Sequence, residues 1–329
     1  MNFLKNDYKF FVAGSKGMVG SSICRLLNKN GVSIEKKNLL APSKQELDLT
    51  KADSVNNWFK NNNPDVVINA AGKVGGILAN SENPVQFLLD NMKIQNNIIE
   101  ASWEFGIKRL LFLGSSCIYP KFSKQPIKED YLLTNSLEET NQWYAIAKIA
   151  GLKLCEAYRK QYNFDIISLM PTNLYGPKDS YDLKNCHVMA ALIRKFYEAK
   201  KNNFNKVNCW GSGKPLREFL YVEDFAEACL FALENWFPNN SNSPKDDKGE
   251  SLSWLNVGSD FEISIRDLSY KISKIVGFKG EIVWDESKPD GTPRKKLDTT
   301  HINNMGWTPK TNLDLGIKKT LDSFVREMQ

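Results

Sequence analysis

The sequence predicts an α/β protein: a doubly wound parallel sheet carrying a smaller, discontinuous α/β lobe drawn mostly from the C-terminal third. Three observations predict it. Apolar strand-like runs alternate with helical patterns through the first half of the 329-residue chain, the signature of parallel strands joined by crossover helices. A glycine-rich turn, Gly14-x-x-Gly17-x-x-Gly20, follows the first of those runs and opens a helix. Beyond Pro171 the pattern changes to loops rich in Asn, Asp and Pro with shorter elements between them.

Taken in order, residues 8–13 form the first strand and residues 18–29 the first helix. A helix over about 51–62 opens with the capping pattern Thr50-x-x-Asp53. The apolar runs 65–70, 109–113 and 165–170 read as buried strands. Long helices cover about 84–105 and 142–162. A helix over about 187–201, a strand at 217–222 and a helix at 223–234 follow, the last returning to the first domain. The stretch 238–251 is polar and reads as a solvated loop. A strand and helix within 254–276 and a terminal helix near 313–328 complete the chain. The expected organisation is a nucleotide-binding domain of residues 1–177, with a returning segment of about 219–258, and a substrate lobe of 178–218 and 259–329.

Composition narrows the classes. With 42% hydrophobic and 25% charged residues the chain reads as a soluble globular protein. The net charge of +6 is mild, no block of Lys and Arg stands out, and no nucleic-acid motif is visible. No apolar run is long enough to span a bilayer. The opening residues Met1-Asn2-Phe3-Leu4-Lys5-Asn6-Asp7 lack the apolar core and cleavage site of a signal peptide. Six scattered cysteines without a CxxC pair suit reduced thiols in a cytoplasm, and argue against a disulfide frame or structural zinc. Only His187 and His301 are available, so no histidine-based metal site is expected.

The residues Gly14, Ser15, Lys16, Gly17, Met18, Val19 and Gly20 occupy the strand–turn–helix context in which glycines let the backbone approach a pyrophosphate and the helix terminus favours its charge. An acid at the end of the second strand would bind the ribose 2′-hydroxyl of NAD and repel a 2′-phosphate. There the chain offers only Glu35, surrounded by cations, while Lys44 or Lys16 could neutralise a 2′-phosphate; NADP is therefore the expected cofactor. Asp48 is a candidate acceptor for the adenine amino group.

Tyr144 and Lys148 are four residues apart and share one helix face. A neighbouring ammonium favours the phenolate, and with the Ser115 hydroxyl the group suits carbonyl reduction or alcohol oxidation. Cys117, two residues past Ser115, and His187 are suited to proton transfer at physiological pH.

Taken together these motifs resemble the extended short-chain dehydrogenase/reductase family, a Rossmann-type fold. The resemblance rests on Gly17-Met18-Val19-Gly20, Lys73-Val74-Gly75-Gly76-Ile77, Gly114-Ser115-Ser116-Cys117-Ile118-Tyr119-Pro120, and Tyr144 through Gly151. It continues through Met170-Pro171-Thr172-Asn173-Leu174-Tyr175-Gly176-Pro177, Trp210-Gly211-Ser212-Gly213 with Arg217-Glu218-Phe219, and Lys288 through Lys295. It implies a two-stage reaction on GDP-4-keto-6-deoxy-D-mannose: epimerisation at C3 and C5, then reduction of the C4 ketone by NADPH. Within that reaction it assigns Cys117 as base and His187 as acid, with Ser115 and Tyr144 at the C4 oxygen and Lys148 on the nicotinamide ribose. It also places Ala71, Leu113, Gly114, Ser116, Pro171, Thr172, Asn173, Leu174 and His187 along the cofactor, and implies a homodimer built through the helices near 84–105 and 142–162.

For the nucleotide diphosphate, Arg217 is the expected bidentate cation and Trp210 a surface on which base or ribose packs. Asp290, with Arg294 close by, is a candidate hydrogen-bond acceptor for guanine or ribose. Two positions depart from the family pattern. Lys195 stands where arginine is common, keeping the charge and losing the fork. Gly72 stands where alanine is usual beside the cofactor.

Overall fold

A computed structural model describes residues 3–183 and 185–328. The chain runs β1 (Phe10–Ala13), α1 (Met18–Lys29), β2 (Leu39–Leu40), α2 (Ala52–Asn62), β3 (Val66–Asn69), α3 (Ile77–Glu82), α4 (Pro84–Glu104), β4 (Arg109–Leu113), α5 (Gln142–Tyr162) and β5 (Ile166–Pro171). It continues with β6 (Asn173–Tyr175), α6 (Val188–Lys201), β7 (Lys206–Trp210), β8 (Leu216–Tyr221), α7 (Val222–Asn235) and β9 (Trp254–Val257). The last elements are β10 (Glu262–Ser264), α8 (Ile265–Val276), β11 (Glu281–Asp285), β12 (Arg294–Lys295), α9 (Thr300–Asn304) and α10 (Leu313–Glu327).

The apolar runs become the central sheet because strands covered on both faces need side chains that gain from burial on either side. Six strands lie in the order β2-β1-β3-β4-β5-β9, all parallel. One face packs α1, α7 and α9 through Ile23, Leu27, Phe225, Cys229 and Ile302. The other packs α2, α4 and α5 through Val55, Phe59, Ile98, Leu152 and Cys155. The strand order reverses between β1 and β3, the point where a crevice opens at the carboxyl ends of such sheets.

Two local devices fix the helices that carry the site. Gln95 of α4 donates from Nε2 to the Ala147 carbonyl at 2.6 Å, and a Cβ at Gly151 would meet the Gln95 side chain, so α5 lies close along α4. Arg109, at the start of β4, is fully buried. Its Nε donates to Asp165 at 2.7 Å, and its Nη1 to the carbonyls of Leu233 and Trp236 at the end of α7. A cation there complements the negative end of the helix.

The remaining elements form a third core. Phe196 and Ile193 of α6, Leu268 and Ile272 of α8, and Ile317 and Phe324 of α10 pack with Tyr175, Phe219 and Tyr221. Strand β8 is the hub: it pairs antiparallel with β10 and parallel with β12 and β6. β7 and β11 form a separate parallel pair.

Two expectations are corrected. Thr50 and Asp53 form no capping box; α2 has Lys51 at its N-cap with no side-chain cap, because Thr50 turns back and donates to Asp48 from both its backbone N–H (3.1 Å) and its hydroxyl (2.7 Å). The second strand is Leu39–Leu40, and Glu35 lies in the turn before it rather than at its end.

Candidate active site

The loop after β1 is shaped by contact rather than by preference. Gly14 adopts φ +76, and a Cβ on it would lie 2.7 Å from the Ala70 carbonyl oxygen; one on Gly20 would lie 2.2 Å from the Gly14 oxygen. Only glycines allow the turn, α1 and the end of β3 to come this close. Gly17, the N-cap of α1, carries no side chain, and no acid occupies the first turn, so the helix N-terminus faces the crevice uncapped. That arrangement fits a dinucleotide pyrophosphate. The residues after β2 are Ala41, Pro42, Ser43 and Lys44, with no acid among them, and Ser15 donates to the carbonyls of Ala41 and Pro42. Lys16 and Lys44 are exposed beside this edge. Asp48 accepts both Thr50 hydrogen bonds on Oδ1, and its Oδ2 lies 3.9 Å from the Lys51 ammonium.

Tyr144 and Lys148 rise from α5 toward the ends of β4 and β5. The Tyr144 phenol hydrogen-bonds to Ser115; burial drives its proton affinity up, the Cys117 sulfur adds to this, and the Ser115 bond opposes it. Lys148 is buried, donates to the Leu113 carbonyl at 2.9 Å and lies 5.0 Å from the Phe112 ring centroid. Burial pulls Lys148 down to about 8, with nearby Cys155 opposing. The expectation that Lys148 favours the Tyr144 phenolate is therefore corrected. The ammonium lies 5.9 Å from the phenol ring centroid but is aimed at the Leu113 carbonyl, and desolvation dominates the phenol. Burial therefore holds the Tyr144 phenol in its neutral form.

Ser115 is the N-cap of a short 3₁₀ turn over Ser116–Ile118, and its Oγ accepts the Cys117 N–H at 3.2 Å. This turns the Cys117 sulfur back toward Tyr144. Asn141 Nδ2 faces the sulfur at 3.5 Å and Lys295 Nζ at 3.7 Å, two hydrogen-bond donors directed at it. Behind the sulfur is a cavity of about 10 Å³, room for one water, lined by Ser116, Tyr119, Ile127, Asn141, Thr292 and Lys295.

His187 is the N-cap of α6. The residue is exposed, yet enough protein surrounds it that desolvation lowers its proton affinity, with the Lys295 charge adding to the effect. The segment before it is pinned to the motif loop by Gly76, whose N–H donates to the Asn185 carbonyl at 2.8 Å. Lys295 is thus a common neighbour of Cys117 and His187.

Among the residues expected to meet a nucleotide diphosphate, Arg217 is mostly buried, which lowers its proton affinity, and it donates to the carbonyls of Leu216 (2.9 Å) and Asp290 (3.4 Å). Trp210 is half exposed, with the ammonium groups of Lys195 and Lys288 at 5.4 and 5.7 Å from its ring centroid. Lys195 also donates to the Asn208 carbonyl. Asp290 accepts from the Ser212 N–H and hydroxyl, and so braces the Gly211–Gly213 turn. Thr172 and Asn173 both donate to the Glu218 carbonyl. Gly114 lies against Met170, close enough that a Cβ would overlap its sulfur.

Sequence reasoning quoted Lys288 and Lys295 as the ends of a motif without giving either a place at the site, and it did not single out Asn141. Lys295 had a legible signal: in a strand, neighbours point to opposite faces. Arg294 pairs outward with Glu262 at 2.6 and 2.8 Å, which turns Lys295 into the cleft. Among the described residues no cluster of His, Cys, Asp or Glu could hold a metal ion, and no helix is long and apolar enough to cross a membrane.

Comparison with known proteins places this geometry. Residues 10–243 match the model of the NAD dependent epimerase/dehydratase family. The chain is 49% identical to a GDP-L-fucose synthase of Sinorhizobium fredii, over 98% of this chain and 97% of the relative. It is also 49% identical to GDP-L-fucose synthase 1 of Arabidopsis thaliana, over 97% and 94% respectively. Among solved structures, MlghC, a GDP-mannoheptose C4 reductase from Campylobacter jejuni with NADP bound, superposes with a TM-score of 0.84 at 33% identity, covering 97% of this chain and 98% of the other. The chain belongs to the NAD dependent epimerase/dehydratase family.

Proposed function

We propose that this chain converts GDP-4-keto-6-deoxy-D-mannose to GDP-L-fucose, by epimerisation at C3 and C5 followed by NADPH-dependent reduction at C4. The observation that carries the reading is the convergence of two chemistries on one place: the hydroxyls of Ser115 and Tyr144 stand beside Cys117, and Lys295 links Cys117 to His187. Relatives at 49% identity bear the name of this activity.

The chemistry follows from the groups. A ketone at C4 acidifies the hydrogens at C3 and C5. Cys117 takes one as a thiolate and becomes the thiol, and the negative charge passes to the C4 oxygen. Ser115 and Tyr144 donate hydrogen bonds to that oxygen. His187, as imidazolium, returns a proton to the opposite face; its lowered proton affinity makes the cation a stronger acid and thins its population at neutral pH. Bound NADPH would supply the hydride for reduction at C4, and Tyr144 would give its proton to the C4 oxygen. Lys148 holds the nicotinamide ribose. Gly14 through Gly20 hold the pyrophosphate, with Ala71, Leu113, Gly114, Ser116 and Pro171 through Leu174 flanking the cofactor. Lys16 or Lys44 takes the 2′-phosphate. Arg217 and Lys195 take the substrate diphosphate, and Trp210 stacks on its nucleoside.

Residues 1–177 with 219–258 serve the cofactor in this reading, and 178–218 with 259–329 the sugar nucleotide. A homodimer through α4 and α5 is supported by the partly exposed Trp103, Phe105, Trp143, Ile146 and Tyr162 on these helices and the turn after α4; a monomeric mass by light scattering would remove it. The six free cysteines suit a reducing cytoplasm. The function is tested by incubating the protein with GDP-4-keto-6-deoxy-D-mannose and NADPH in deuterated water. Deuterium at C3 and C5 of an L-configured product supports it, and an untouched substrate overturns it.

A further inference from the structure

Beside Arg217 lies a carboxylate that the chemistry above does not use. Glu218 is fully buried, and among the described residues it has no ion-pair partner. Its Oε1 accepts the backbone N–H groups of Ser259 (2.7 Å) and Asp260 (2.8 Å), and its Oε2 that of Leu297 (3.1 Å). Both oxygens act as acceptors, which is the hydrogen-bonding pattern of the anion; burial raises the proton affinity of the carboxyl, and the three N–H groups pull it part of the way back. The fit is close: a Cβ on Gly258 would lie 2.4 Å from Oε1. The backbone carbonyl of the same residue accepts from Asn173 Nδ2 at 2.7 Å and Thr172 Oγ1 at 3.2 Å.

Five hydrogen bonds from three segments therefore meet on one residue. The first segment is 172–173, at the end of β5 on the cofactor side. The second is the turn 258–260 after β9. The third is the segment 294–297, which begins with β12, where Lys295 pairs in register with Arg217. An amide or apolar residue at 218 would leave buried N–H groups without acceptors, a costly state.

We propose that Glu218 is a positioning residue: a buried anion that holds Arg217 and Lys295 at the cleft and ties them to the cofactor-side segment. The role rests on the function proposed above, since it is the sugar diphosphate that Arg217 engages. Glu218 touches neither substrate nor cofactor and acts through its neighbours.

Glu218→Gln tests this directly, because the amide keeps the shape but sets an NH₂ against at least one backbone N–H. The expected result is a rise of about tenfold or more in KM for GDP-4-keto-6-deoxy-D-mannose, with kcat changed less than about threefold and NADPH affinity within about twofold, as fits a lost hydrogen bond to a charged group. A carboxylate that only stabilises the fold would lower Tm and leave KM unchanged well below it, and that outcome overturns the proposal. If the wild type does not turn over the sugar nucleotide, the proposed function fails separately; GDP titrated by calorimetry then still reads Glu218, with weakening of about tenfold expected and an unchanged affinity contradicting it. If Glu218→Gln does not fold, hydrogen exchange on the wild type decides. Saturating GDP should slow the amides of residues 259, 260 and 297 together, and independent behaviour of the three overturns the proposal.

Discussion

Substituting Gly76 by alanine should strike His187 without touching it. Gly76 has φ −70 and ψ −177, a conformation alanine adopts without strain, so the entire effect is steric. The new Cβ would sit 2.6 Å from the Cys186 carbonyl oxygen, roughly 0.8 Å inside ordinary contact. That oxygen belongs to backbone, so relief requires the segment to move, and the next residue is His187. The Gly76 N–H holds the Asn185 carbonyl on the same segment, so the displacement has little slack to absorb it. Misplacing an acid by about 1 Å can cost about 10²-fold in rate, near 2.7 kcal/mol, while overpacking of this kind costs about 1–3 kcal/mol in stability. The assay is the rate of L-configured product by NMR, with NADPH affinity and Tm measured alongside. L-sugar formation should fall between about 10- and 100-fold, with NADPH affinity within a few-fold. Gly72→Ala is the control: its Cβ would meet the Asn91 side-chain oxygen at 3.0 Å, a contact a side chain can relieve. Activity should stay within about twofold there. A folded Gly76→Ala protein that makes L-sugar at the wild-type rate would refute the placement of the acid on this segment.

Other consequences can be checked with less. Burial lowers Lys148 to about 8 from its usual 10.5; between those values the unfolded chain holds more protons, so stability should rise with pH through that window, by on the order of 3 kcal/mol. Lys148→Met should flatten the rise in denaturant titrations, and in the wild type kcat/KM for NADPH should decline above about pH 8 as the ribose-binding charge is lost. Arg109→Met strands the carbonyls of Leu233 and Trp236 while Asp165, partly exposed, keeps Arg159. A loss of about 2 kcal/mol in unfolding free energy with unchanged KM is expected, and an unshifted urea midpoint would contradict it. Cys117→Ser should slow deuterium exchange at the ring carbons by at least about 10². Exchange at the wild-type rate would move the base elsewhere.

The sheet was legible because its strands are buried on both faces and leave unbroken apolar runs such as residues 66–68 and 110–113. The helix Gln142–Tyr162 was equally plain, being long and continuous. The two-residue strands were not: Leu39–Leu40 and Arg294–Lys295 are specified by their partners β1 and β8, and nothing local marks their ends. The same limit explains the site. Ser115, Cys117, Tyr144 and Lys148 lie on adjacent elements and announce themselves by spacing. Lys295 and Asn141 reach Cys117 only through tertiary packing, and Lys295 is 178 residues away in sequence. The influence of Lys148 on Tyr144 was misread because helical spacing gives proximity but not aim. Its ammonium finds the Leu113 carbonyl, and burial decides the phenol.

The most direct test follows NADPH absorbance and product configuration together, with GDP-4-keto-6-deoxy-D-mannose as substrate and wild type, Tyr144→Phe and Cys117→Ser compared. The account predicts GDP-L-fucose from the wild type, loss of NADPH oxidation in Tyr144→Phe with cofactor binding retained, and loss of the L-configured product in Cys117→Ser. A wild type that binds NADPH yet leaves this sugar nucleotide unchanged would contradict the proposed reaction while leaving the fold and the cofactor crevice standing.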